Sequence, residues 1–233
     1  AKGKAIQNFI DISSEEKITV ILGHNPSKDK SSQYLLMATK NGVIKKTSLD
    51  EFSSIRKNGL LSIKLEKDDL LEWASFTTGD DLICLTTKQG QSITFSEKDV
   101  RPMGRASSGV TGIKLSKDDE VVGMIVIPKT LIKSNAAIIS ISELGFGKKT
   151  LIKEYRIQKR GGTGIKTFKI TPKTGLLVTS KLANEEQVLI SISKKGLILK
   201  TELSDVPILS RTTQGVKIMR IDSGDKVSEI SII

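Results

Sequence analysis

The stretch LLMATKNGVIKKT (35–47) returns three more times along the chain, as LICLTTKQGQSITF (82–95), AIISISELGFGKKT (137–150) and VLISISKKGLILKT (188–201). Each copy is an apolar, β-branched run, a polar turn closed by glycine, and a second run. Two such runs around a short glycine turn read as a β-hairpin. The turn glycines, Gly42, Gly90, Gly145 and Gly196, are 48, 55 and 51 residues apart. A period near fifty residues points to a propeller-like repeat architecture, in which no unit buries a core alone and neighbours must stack.

A second anchor follows each hairpin: NGLLSIKL (58–65), SGVTGIKL (108–115), GGTGIKTF (161–168) and QGVKIMRI (214–221). Val110, Ile113 and Leu115 are apolar around Thr111 and Lys114, an imperfect period of two that fits a strand. A polar turn comes next, as EKDD (66–69), SKDDE (116–120) or DSGDK (222–226), and then a closing apolar run, LLEWASF (70–76), VVGMIVI (121–127) or VSEISII (227–233). One unit is therefore expected to supply about one four-stranded blade.

Helix signals are few. Ser48 with Glu51 three residues on has the form of a capping box, but the segment allows only a turn or two. Residues 3–22 read as the back half of a unit, strand, charged turn and strand. The expected organisation is a single all-β domain over 1–233. Residues 1–34 form a partial first blade and connecting loop (NPSKDKSSQ, 25–33), and 35–233 form four full repeats, with upstream repeats missing.

Composition narrows the functional classes. The chain has 233 residues and a net charge of +11, and 37% of it is hydrophobic. That is below the ~45–50% usual in globular chains, although the usual figure also counts glycine, so a thin core and much surface are expected. Such an excess of positive charge implies a polyanionic partner. Aromatic residues make up 4%, too few for binding by base stacking. Cys84 is the lone cysteine and lies in an apolar run, as a buried structural thiol would. His24 is the lone histidine and sits in a loop, so no metal site or Ser-His-Asp set can be assembled around it. Tyr34 and Tyr155 are both read in loop or strand-edge settings, without a helical scaffold or metal carboxylates. No apolar run approaches a membrane span, and no signal peptide is evident, so a cytoplasmic protein is expected.

The cations recur at related points of the repeat. Lys45 and Lys46, Lys148 and Lys149, and Lys200 follow the turn glycines of the first, third and fourth hairpins. The long loops add Arg56, Arg101, Arg105, Lys153, Arg156, Lys159, Arg160 and Arg211. Acidic residues collect in the turn before the last strand. The expectation is a continuous basic rim for a nucleic-acid backbone. Bending duplex through half a turn over about 35 bp costs ~12 kcal/mol for a smooth rod. At about 1 kcal/mol per phosphate neutralised near 0.1 M salt, roughly ten contacts would offset it. That requires cations on several blades.

The most specific motif is Gln158-Lys159-Arg160-Gly161-Gly162-Thr163-Gly164. Glycines let backbone approach a phosphate closely, and the two cations supply charge. QKRGGTG resembles the gyrase A box, a Gln-basic-Arg-Gly-Gly-basic-Gly heptad, with Thr163 in place of the second basic residue. With MATKNGVIKKT (37–47), GVTGIKL (109–115), ELGFGKKT (143–150) and RTTQGVKIMRI (211–221), the whole chain resembles the C-terminal domain of DNA gyrase A and the related C-terminal domain of topoisomerase IV.

The resemblance implies a β-pinwheel, a disc whose neighbouring blades exchange a strand. It further implies duplex DNA, bound without sequence preference and wrapped on the basic rim, so that negative supercoils are introduced. Gln158, Lys159, Arg160, Gly161, Gly162 and Gly164 become DNA contacts. It implies no catalytic site and no cofactor here, with ATP and Mg²⁺ used elsewhere in an A2B2 holoenzyme built with gyrase B, and a domain that is monomeric in isolation. In such gyrases the box lies in the first of about six blades, and QKRGGTG falls in the next-to-last blade here, so the resemblance implies a degenerate copy, with the principal box expected before Ala1. The alternatives are a topoisomerase IV domain that senses DNA geometry and a propeller scaffold that binds protein.

Overall fold

A computed structural model of the chain describes residues 3, 4, 8, 10, 16–23, 33–54, 59–183 and 186–233. These residues form fifteen strands and short 3₁₀ turns, with no α-helix among them. Four hairpins carry the repeat: β1 (Tyr34–Thr39) with β2 (Val43–Ser48), β4 (Leu82–Thr87) with β5 (Gln91–Ser96), β8 (Ala137–Ser142) with β9 (Phe146–Leu151), and β12 (Val188–Ser193) with β13 (Ile198–Glu202). An inner strand joins each one: β3 (Leu71–Thr77), β7 (Val121–Ile127), β11 (Leu177–Ala183) and β15 (Val227–Ile232). Successive inner strands pack on one another, β3 on β7, β7 on β11 and β11 on β15.

All four hairpins turn in the same way. The glycine N–H donates to the carbonyl three residues back: Gly42 to Thr39, Gly90 to Thr87, Gly145 to Ser142 and Gly196 to Ser193. Each turn glycine has a positive φ, between 75° and 87°, where a side chain would be strained. In three units an aspartate of the acidic turn accepts a hairpin N–H: Asp69 from Asn41, Asp119 from Gln89 and Asp225 from Lys195. The acidic segregation seen in the sequence is thus partly a set of turn caps.

The fourth strand of a blade comes from the following unit. β6 (Val110–Thr111) pairs with β2, β10 (Ile165–Lys166) with β5 and β14 (Val216–Lys217) with β9. These strands are two residues long, shorter than the sequence suggested, because they pair only with residues beside the turn glycine. That glycine's carbonyl then accepts two N–H groups from the incoming segment. Gly42 accepts from Gly112 and Ile113, Gly90 from Thr167 and Phe168, and Gly145 from Ile218 and Met219.

The fourth sheet, β13-β12-β15, has three strands among the described residues, where a full blade was expected. Among the described residues no segment pairs with its outer strand, and Leu197 and Ile198 are 47% and 63% exposed, whereas Ile44 at the position of Ile198 is fully buried. Nine of the twenty residues of the expected half-blade at 3–22 lie outside the described residues. Residues 16–22 are described and carry no strand. Most of the loop 25–33 also lies outside the described residues. Ser48 does cap the 3₁₀ turn Leu49–Phe52, through Asp50 N rather than a capping box.

The core runs between blades. Leu36, Ala38 and Ile44 of the first sheet pack with Ile83, Leu85 and Ile93 of the second and with Ile113 of the incoming segment. Cys84, Ile125 and Ile127 join Ile138, Ile152 and Tyr155 of the third unit. At about 1.5–3 kcal/mol per buried aliphatic side chain, such clusters bind each blade to the next. Burial raises the Cys84 thiol to about 12, as expected of a structural cysteine.

Candidate nucleic-acid interface

Each basic loop crosses to the preceding blade and runs along its outer strand. Pro102 bridges to Lys46, Ile157 to Thr94 and Ile208 to Lys149, all in parallel. The next residue donates its N–H to the same strand: Met103 to Lys46 O, Gln158 to Thr94 O and Leu209 to Lys149 O. The three loops are therefore in register. Arg101 matches Arg156, Arg105 matches Arg160 and Arg211, and Gly109 matches Gly164 and Gly215.

This register sorts the cations. Arg101, Arg156, Lys159 and Lys153 are exposed on the loops. Arg105, Arg160 and Arg211 are half-buried, each with its guanidinium turned partly inward. Arg160 donates through Nε to Asp99 O (2.8 Å) and through Nη1 to Thr111 O (3.1 Å). Arg211 Nη1 donates to Lys166 O at 2.6 Å, and Lys166 holds the same place in β10 as Thr111 in β6. Arg105 Nε lies 3.7 Å from Glu51 Oε2. Arg160 and Arg211 thus tie the loop of one unit to the exchange strand of the unit before it. Arg101 and Arg160, from different units, line one cleft with Lys98, Pro102, Met103 and Val110. Lys98 already pairs with Asp80.

Four lysines depart from the expected rim. Lys45, Lys46, Lys148 and Lys149 are 0–3% exposed. Their strand position follows the turn glycine, and the next unit's loop lies over it, so the alkyl stems are covered. Lys46 pairs with the buried Glu97, at 3.6 Å. Lys45 and Lys148 donate to loop carbonyls. None of the four faces solvent as a phosphate contact must. Lys200 is exposed, with no described loop over β13, and pairs with Glu202 at 3.4 Å. Arg56 lies outside the described residues.

The glycines of QKRGGTG serve the packing of one unit on another. Gly161 and Gly164 have φ of 79° and 77°. Gly161 N–H donates to Gly112 O at 2.7 Å, and Gly162 O accepts from Lys114 N at 2.9 Å. A Cβ on Gly164 would meet Ser92 O at 2.3 Å. The motif's Lys159 reaches solvent, and Gln158 is anchored by its backbone N–H to Thr94 O at 2.7 Å.

Sequence reasoning passed over Lys166, which is exposed on β10 beside the Arg211 loop. The signal was its place after the strained glycine of the second anchor, shared with Lys217. Tyr155, expected in a loop or at a strand edge, is buried, and its hydroxyl lies 2.9 Å from Thr167 Oγ1. Among the described residues there is no cluster of three His, Cys, Asp or Glu side chains suited to a metal ion, and no helix long and apolar enough to cross a membrane.

The chain matches the family model of the DNA gyrase C-terminal domain, beta-propeller, over residues 33–78, 81–128, 137–184 and 187–233. These four segments follow the four hairpin units. The DNA gyrase A protein of Buchnera aphidicola subsp. Baizongia pistaciae is 40% identical over 228 residues, which is 97% of this chain and 26% of that protein. The gyrase A protein of Lawsonia intracellularis is 37% identical over 224 residues, covering 96% and 27%. The chain thus spans about a quarter of the length of these relatives. Among solved structures, a DNA gyrase A C-terminal domain superposes with a TM-score of 0.85 at 26% identity, covering 100% of this chain and 75% of that one. The C-terminal domain of a DNA topoisomerase IV superposes at 0.89 with 23% identity, covering 99% and 70%, a likeness of fold.

Proposed function

This chain belongs to the DNA gyrase C-terminal domain family, and on that premise we propose that it binds duplex DNA without sequence preference and bends it along the loops of successive blades. The observation that carries this reading is the register of the loops. Arg101 and Arg156 stand exposed at one position of consecutive units, and Arg105, Arg160 and Arg211 recur at another. Cations repeated at equivalent points of a repeat meet phosphates at several places along a duplex, which one local patch does not.

The contact is electrostatic. Few aromatic side chains are available for stacking, and phosphate contacts fix position without reading bases. On this proposal residues 1–233 act as one wrapping domain with no active site or cofactor of its own. It presents DNA to the rest of gyrase A and to gyrase B in an A2B2 enzyme of the bacterial cytoplasm, which supplies ATP and Mg²⁺ chemistry and introduces negative supercoils. The isolated domain is monomeric.

Two measurements test it together. Affinity for a duplex of mixed sequence is measured from 50 to 200 mM salt, and the linking number of small circles is read after ligation in the protein's presence. A steep fall in affinity with salt and a shift in linking number are expected. A flat salt dependence removes DNA binding, and a steep one with unshifted circles removes wrapping.

A further inference from the structure

Lys45 and Lys148 occupy the same place in two units, three residues after Gly42 and Gly145. Both are buried, at 0% and 1% exposure. An ammonium taken out of water must have its N–H groups met. Lys45 Nζ donates to the carbonyls of Ser62 at 2.7 Å, of Ser107 at 3.0 Å and of Arg105. Lys148 Nζ donates to the carbonyls of Ser210 at 2.6 Å and Arg211 at 2.7 Å and to Thr213 Oγ1 at 3.3 Å. The arginine loop gripped belongs to the next unit in both cases, and Lys45 also holds Ser62 of its own unit. Two of the acceptors match as well: the carbonyl of the loop arginine, and an oxygen of the residue two positions later.

The units without this lysine differ in a corresponding way. Ile93 stands in its place in the second unit, fully buried. The loop above it carries Gly162 where the other loops have Ser107 and Thr213, and a Cβ on Gly162 would lie 3.6 Å from Ile93 Cδ1. Leu199 stands in that place in the fourth unit, whose outer strand has no incoming segment among the described residues. Lysine therefore goes with a polar loop residue, and isoleucine with glycine.

We propose that Lys45 and Lys148 are positioning residues, each fixing through the carbonyl of Arg105 or Arg211 the loop that holds that arginine at the DNA-facing rim, without touching DNA itself. The inference rests on the DNA-binding reading above. Several donors from one ammonium fix the loop backbone where the arginine side chain begins. In the third blade the guanidinium is also tied at its far end, to Lys166 O. A loop held in this way gives up less conformational freedom on binding, which favours affinity.

The test is a double-mutant cycle on this chain with Lys148→Met, Arg211→Ala and both, measured against a mixed-sequence duplex at several salt concentrations. Arg211→Ala is expected to weaken binding roughly five- to tenfold near 0.1 M salt and to lower the log–log salt slope by about 0.9, the signature of one phosphate contact. Lys148→Met is expected to do the same although its ammonium is buried, and the double variant to bind no worse than Arg211→Ala. Amide exchange at Leu209 and Thr213 rises in Lys148→Met and not in Arg211→Ala.

Additive losses overturn the positioning role, as does full affinity in Lys148→Met while Arg211→Ala is weakened. Unchanged affinity in both Arg211→Ala and Arg156→Ala overturns the DNA reading instead. The exchange result then shows separately whether Lys148 orders the loop. If Lys148→Met does not fold, the cycle of Lys45→Met with Arg105→Ala decides in the same way.

Discussion

Lys46 Nζ lies 3.6 Å from Glu97 Oε1 and donates to the Glu97 carbonyl at 3.0 Å, so a cation of the first sheet is neutralised by a carboxylate of the 3₁₀ turn that follows β5 in the second unit. The two side chains are 4% and 0% exposed. Glu97 also accepts from Thr77 Oγ1 at 2.6 Å, Gly79 N at 3.0 Å and Asp81 N at 3.2 Å. Removing one partner of such a pair leaves an uncompensated buried charge, which costs about 3–5 kcal/mol. Glu97→Ala is expected to lose that much in urea unfolding, and Lys46→Met with Glu97→Ala to lose less than Glu97→Ala alone. Equal losses in the single and double variants would show that the carboxylate matters for the turn N–H groups rather than for the lysine.

The turn glycines give an internal comparison. Gly90 and Gly196 share the left-handed conformation, with φ of 81° and 87°. A Cβ on Gly90 would meet Phe168 O at 2.5 Å, whereas nothing lies within 4 Å of one on Gly196. Alanine in that conformation costs about 1–2 kcal/mol from the backbone alone. Gly196→Ala should show only this cost. Gly90→Ala should exceed it, because the added methyl displaces the exchange segment. Thermal unfolding of the two variants checks the ordering, and equal shifts would mean that the segment from the third unit contributes little to the second blade.

The hairpins were legible because local chemistry determines them. An apolar run, a Thr or Ser before the turn and a glycine with positive φ specify Thr39 to Gly42 as fully as Ser193 to Gly196. Strand exchange was not legible from the repeat itself, since Val110 and Thr111 carry the same pattern whether they pair with their own hairpin or with β2. The resemblance alone supplied that expectation. The lysines misled for a related reason. Lys149 and Lys200 hold the same place, four residues after their turn glycines, and what separates the buried one from the exposed one is a loop some sixty residues downstream in the chain (Pro207 to Leu209), which lies over β9, while no described segment lies over β13. The exposure of Arg101 and Arg156 was legible because each lies on a loop that runs over the surface of a blade.

Lys148 also predicts a pH dependence. Burial is the main cause that lowers its pKa from the usual 10.5 to about 8, with Arg211 nearby acting in the same direction and Glu154 opposing. Between those two values the unfolded chain holds more of this proton than the folded one, so the lysine's contribution to stability rises with pH across that window. The difference in unfolding free energy between the natural chain and Lys148→Met should move in favour of the natural chain from pH 8 to 10.5 and stay constant from pH 6 to 7. A difference that is flat up to pH 10 would mean that the ammonium keeps its ordinary pKa beneath the loop.

Charge changes at the rim and in the interior should differ in kind. Arg101 and Arg156 are exposed, and removing either leaves the packing intact. Arg101→Ala and Arg156→Ala are each expected to lower the log–log salt slope for duplex binding by about 0.9, with equal effect on unrelated sequences, and to unfold within about 0.5 kcal/mol of the natural chain. Lys148→Glu has a different effect, since it puts a carboxylate against the carbonyls of Ser210 and Arg211 in place of the ammonium they bind. Its loss of binding should come with a lower melting temperature. Measuring the salt slope and the melting temperature on the same three variants separates the two effects. If Lys148→Glu melted like the natural chain while its salt slope fell, Lys148 would be a surface contact after all.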